Sequence, residues 1–145
     1  MDGVFVWFFP VPDSARDENG HVNNVEYVRW MQQAAVAHAD AVGCSAATRA
    51  AGATWVVRSH NVEYLRPVFA GEELTVKTWV STLGKTRSLR KYLFLRGDER
   101  VARGETLWVF VDAATGRPRA IPPVVSEGFS VLPAEHEPAE ASGRS

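Results

Sequence analysis

Apolar and polar positions change rhythm near residue 54. Before it, Tyr27, Met31, Ala34, Ala35 and His38 recur at helical spacing on one stripe. This predicts a helix from about Asn24 to Val42, stopped by Gly43. The run of alanines after Met31 leaves little bulk, which suits a helix pressed closely against a sheet. After residue 54 the alternation has the period of strands. Trp55, Val57, Asn61, Glu63 and Leu65 share one phase, and Arg58, His60, Val62, Tyr64 and Arg66 share the other. The first phase holds the large apolar residues and is expected to face the core.

Pro67 and Gly71 mark the next break. Leu74, Val76, Thr78 and Val80 predict a further strand, and Gly84-Lys85 a turn. Leu89 to Leu95 alternates against Arg90, Tyr92 and Arg96; Gly97-Asp98 turns the chain again, and Val101 to Val111 closes the series. Residues 3–9, ended by Pro10 and Pro12, read as an opening strand, and 45–51 as a short extra turn before Gly52. One helix followed by strands joined through tight turns reads as α+β with an antiparallel sheet. Residues 1–132 are expected to form one domain, with weak structure after Pro122-Pro123 and a disordered tail over 133–145.

Composition narrows the class. The chain has 145 residues, 46% of them hydrophobic, enough for one domain with a core. A net charge of −1 argues against a broad cationic face for nucleic acid. A single cysteine, Cys44, excludes an internal disulfide framework and a cysteine-rich metal site, and reads as a packing residue. No apolar run is long enough to span a bilayer, and Val4–Phe9 is too short and wrongly flanked for a signal peptide. The expected address is the cytoplasm; no membrane partner, cofactor or metal is expected.

The chemistry concentrates in Arg16-Asp17-Glu18-Asn19-Gly20-His21-Val22-Asn23-Asn24-Val25-Glu26-Tyr27. Gly20 permits a tight turn. Asn23 or Asn24 can cap the helix, and Glu26 suits the positive end of its dipole. Polar side chains thus converge where free backbone N–H groups point, a place able to hold an anion or a developing oxyanion.

This stretch resembles the signature of hot-dog-fold thioesterases, the group that includes 4-hydroxybenzoyl-CoA thioesterase and the plant acyl-ACP thioesterases. The matching run is Asp17-Glu18-Asn19-Gly20-His21-Val22-Asn23-Asn24, followed by Tyr27. The resemblance implies a hot-dog fold, an antiparallel five-stranded sheet wrapped around a long central helix. It implies a homodimer or homotetramer with sites between protomers. It implies hydrolysis of an acyl-CoA or acyl-carrier-protein thioester, with Asp17 as general base or nucleophile. The backbone N–H around Asn24 falls where 4-hydroxybenzoyl-CoA thioesterase polarises the carbonyl. In the plant enzymes an Asn, a His and a downstream Glu-Tyr-x-Arg also belong to the site; here these are Asn19, His21 and Glu63-Tyr64-Leu65-Arg66. Asn19 would hold the carbonyl or water, and His21 would position Asp17 or Glu63. Glu63, on the phase of Trp55 and Val57, needs a partner or a purpose. Where the plant enzymes carry a cysteine after that run, this chain has Val68, so a cysteine mechanism is unavailable.

Lys85, Arg87, Arg90 and Lys91 form the densest basic cluster. The resemblance assigns that region to the phosphates of CoA or a phosphopantetheine arm, with Arg58 and His60 as further candidates. Tyr27, Trp30 and Trp55 are candidates for an acyl pocket. Two other functions compete. A hot-dog hydratase or dehydratase resembles Asp-x-Asn-Pro-x-His, but His21 follows Asp17 by four positions and no Pro intervenes. An acyl-CoA-binding protein without catalysis would have no need of Asp17.

Overall fold

Asn23 starts the long helix. Its side-chain Oδ1 accepts from the Val25 N–H at 3.1 Å, and α1 runs Asn24–Ala41. The structure, a computed structural model, describes residues 3–133. Gly43, at φ +83°, breaks the helix into a second one, α2, Cys44–Ala50. The strands are β1 (Phe5–Pro10), β2 (Ala53–Tyr64), β3 (Glu73–Leu83), β4 (Arg87–Arg96) and β5 (Glu99–Asp112).

These make one five-stranded sheet in the order β1-β3-β4-β5-β2, and every neighbouring pair is antiparallel. The hairpins β3–β4 and β4–β5 are local. The other two pairings are not: β1 lies along β3, and β2 reaches the far edge by pairing with β5. The stripe of α1 packs on one face of the sheet. Tyr27, Trp30, Met31 and Ala34 are buried with Leu74, Val76, Tyr92, Phe94, Val101 and Ala102. A Cβ on Gly104 would stand 2.9 Å from Met31 Sδ and 3.1 Å from the Asn61 carbonyl oxygen, so a residue without a side chain lets helix and sheet approach. This is the hot-dog arrangement.

Two expectations are corrected. The segment after Pro122-Pro123 is structured: Pro123–Ser126 forms a short helix, α3, and Val125 is buried with Cys44, Ala53 and Phe110. Apolar residues at 125 and 129 find the gap between α2 and the sheet. The tail expected over 133–145 lies, apart from Pro133, outside the described residues. The second correction concerns β2. The register runs Val57 opposite Trp108, then Ser59 opposite Leu107, so Arg58 is an extra residue in a bulge. The bulge exchanges the two phases beyond it. His60 and Val62 turn toward the core, and Glu63 turns outward.

Candidate functional site

The loop before α1 is a small hairpin. Arg16 and Val22 pair as an antiparallel bridge, the Asp17 N–H donates to the His21 carbonyl at 2.7 Å, and Gly20 takes φ +83° at the tip. The Asp17 carboxylate closes this loop from inside. Its Oδ1 accepts from the N–H groups of Asn19 (2.8 Å) and His21 (3.1 Å). Among the described residues nothing donates to Oδ2.

The hairpin is anchored at both ends. The Asn23 N–H donates to the Ala15 carbonyl, and the Val22 N–H to that of Val68, each at 2.8 Å. In the first turn of α1 the Val25 N–H is taken by the Asn23 side chain and the Glu26 N–H by the Asn23 carbonyl. Among the described residues the Asn24 N–H has no acceptor, as expected at the first position of a helix. The end of β2 reaches the same turn, where the Tyr64 hydroxyl donates to the Asn24 carbonyl at 3.3 Å.

His21 is exposed, and its ring tilts against that of Phe69 at 5.1 Å between centroids. Phe69 is itself braced. Its N–H donates to Glu72 Oε1, and Arg96 Nη1 donates to that same oxygen (2.8 Å) and to the Pro67 carbonyl (3.0 Å). Residues 67–72 therefore form a shelf under His21 and Val22. Sequence reading missed this shelf; the only trace was an arginine closing the phase of Tyr92 and Phe94.

The structure brings together Asp17, Asn19 and His21 in one loop, with Asn24 at the helix start that follows. It does not bring Glu63 to them as a core-facing carboxylate. Beyond the bulge Glu63 stands opposite Arg103 on the exposed face and pairs with it at 2.7 Å. Three other expectations are corrected. Tyr27 is a core residue, edge-on to Tyr64 and Phe94; burial pushes its hydroxyl pKa up to about 12. His60 faces inward, its Nδ1 bonded to Thr106 Oγ1 at 2.8 Å, and burial lowers its pKa. Arg90 does not belong to a surface cluster. It shares the inward phase of Tyr92 and Phe94, is 4% exposed, and bonds to His38 and Thr78. Lys85 and Arg87 remain exposed on the β3–β4 hairpin, and Arg58 on the bulge.

The family model described as the thioesterase-like superfamily matches residues 11–129, which span the hairpin, α1 and the whole sheet after β1. The chain belongs to that superfamily. Among its relatives is the L-carnitine dehydrogenase/betainyl-CoA thioesterase of Agrobacterium fabrum, 32% identical over 123 residues that cover 83% of this chain and 25% of that protein. The protein of the same name from Ruegeria pomeroyi is 29% identical over the same coverage. The chain thus spans about a quarter of the length of these relatives. Solved structures share the fold. A Staphylococcus aureus protein in complex with CoA superposes with a TM-score of 0.81 at 18% identity, over 88% of this chain and 82% of that one. The DHNA-CoA thioesterase of Staphylococcus aureus superposes at 0.75 with 24% identity, over 81% and 80%.

No helix among the described residues is long and apolar enough to cross a membrane. Among them no three His, Cys, Asp or Glu side chains are grouped so as to hold a metal ion.

Proposed function

We propose that this superfamily member hydrolyses a CoA thioester, with Asp17 and the Asn24 N–H acting on one carbonyl. The observation that carries this reading is the pair of unspent groups at the hairpin. Asp17 Oδ2 and the Asn24 N–H lack partners among the described residues, while the atoms beside them are fully engaged. A helix-start N–H is suited to an oxyanion. A carboxylate fixed through one oxygen keeps the other for water or for direct attack. The thiolate leaves without an acid, since a thiol has a pKa near about 8.5.

In this reading Asn19 and His21 border the carbonyl and orient water, and Tyr64 holds the helix start in place. Lys85, Arg87 and Arg58 are the exposed cations available to CoA phosphates. CoA rather than a carrier protein is chosen because the relatives' names specify CoA thioesters. A homodimer belongs to the proposal, because β2 is an edge strand, among the described residues no strand pairs with its outer side, and Val56 and Tyr64 on it are exposed.

The experiment is thiol release from aliphatic and aromatic acyl-CoAs, followed with a thiol reagent. Saturable release from at least one ester supports the reading. Binding without release would make the chain an acyl-CoA binder, and water addition to an enoyl-CoA would make it a hydratase.

A further inference from the structure

A cavity of about 260 Å³ lies beneath the C-terminal half of α1, walled by α2, the start of β2 and the β3–β4 hairpin. Asp17, Asn19, His21 and Asn24 do not line it. Arg90 does, at 4% exposure. Its Nη1 donates to His38 Nδ1 at 2.9 Å and to Thr78 Oγ1 at 3.0 Å, and the guanidinium carbon lies 5.5 Å from the centre of the Phe129 ring. Among the described residues no carboxylate is within ion-pair distance of it, and none accepts from its Nε or Nη2.

A buried cation without a counter-ion is unusual, because removing a charge from water is costly unless an opposite charge or strong acceptors replace the water. The walls do not supply that charge. The other ionisable side chain of fixed charge lining the cavity is also a cation, Arg49, and no Asp or Glu lines it. Most of the remaining surface is apolar, with Trp55 and Trp108 as its largest side chains.

We infer that this cavity binds a small carboxylate with an apolar body, its carboxylate held by the Arg90 guanidinium and its body lying against Trp55 and Trp108. The Nε and Nη2 edge of an arginine matches a carboxylate through two parallel bonds. The volume is slightly below the range of drug-sized pockets, which suits a short acid. The carboxylate has two sources. It is a free acid, or it is the far end of an acyl group that carries a second carboxylate. Ala35, on the cavity wall, is eleven residues along α1 from Asn24, about 16 Å by helix rise, so the second source needs a long acyl chain. Only that second source rests on the hydrolase reading.

The test uses the full chain and the tryptophans on the cavity wall. Hexanoate is titrated against tryptophan emission, with hexylammonium as the probe of opposite charge. A saturable change with hexanoate, at least tenfold weaker with hexylammonium, is expected. No saturable change, or equal responses, overturns the proposal, and neither depends on turnover. Arg90→Met is expected to weaken hexanoate at least tenfold. If that variant does not fold, Ala39→Phe serves, since it fills the cavity and keeps Arg90; unchanged hexanoate binding in a folded Ala39→Phe chain overturns the proposal. The sources separate with dodecanedioyl-CoA and dodecanoyl-CoA. Preferential hydrolysis of the first, competed by hexanoate, identifies the acyl end; equal hydrolysis with hexanoate still binding identifies a free acid.

Discussion

Arg90 Nη1 stands 2.9 Å from Nδ1 of His38, so a permanent cation donates to a histidine that must keep that nitrogen unprotonated. The imidazole stacks on the ring of Phe5 and meets that of Phe129 edge-on. Burial first, and the Arg90 charge second, lower its pKa from 6.5 to about 4. The unfolded chain takes up this proton between those two values and the native chain does not. The contribution is present above pH 6.5 and is lost as the pH falls through about 4, on the order of 3 kcal/mol in all. Urea midpoints should drop steeply across this window. In His38→Asn, whose carboxamide oxygen can still accept from Arg90, the drop should be shallower by that contribution; identical slopes would show that His38 titrates normally.

Asp17→Asn keeps an oxygen for the Asn19 and His21 N–H groups, so the loop closure survives. What it removes is the charge. Turnover should fall about 100-fold or more, with the melting temperature unchanged to within a few degrees. Turnover within a few-fold of wild type would take Asp17 out of the chemistry.

Asn23→Ala removes the acceptor for the Val25 N–H and should cost about 1 kcal/mol of stability. It also loosens the turn that presents the Asn24 N–H. kcat should therefore fall more than KM rises, which steady-state kinetics separates from the stability loss read by urea titration.

Charge reversal at Arg87 tests the exposed hairpin. Arg87→Glu should raise KM for CoA esters several-fold, with the effect fading in salt as surface charges are screened. An unchanged KM would move the phosphate contacts to Lys85 or Arg58.

Periodicity revealed the long helix and the later strands, because a buried face imposes its own spacing on the chain. The opening strand came from an apolar run ended by prolines, and residue type narrowed the cap to Asn23 or Asn24, of which the structure uses Asn23. The reactive loop was legible for a different reason: its residues are polar and closely packed in sequence. Two kinds of feature were not legible. A bulge adds one residue without any compositional mark, so Arg58 concealed the exchange of phase that turns Glu63 outward and His60 inward. Charge misled at Arg90, where a basic side chain suggested solvent. Its phase, shared with Tyr92 and Phe94, was the better guide.

The extra residue in β2 also marks the one place where that strand can lose length without changing what it presents. Excising Arg58 would restore strict alternation with Ser59 still opposite Leu107, so His60, Val62 and Tyr64 would keep their side of the sheet and Glu63 would stay beside Arg103. Deleting a residue further along, between His60 and Glu63, would instead slip the register by one and turn the remainder of the strand over. The edge strand is thus tolerant of shortening at position 58 and intolerant of it beyond, although the two edits look alike in sequence.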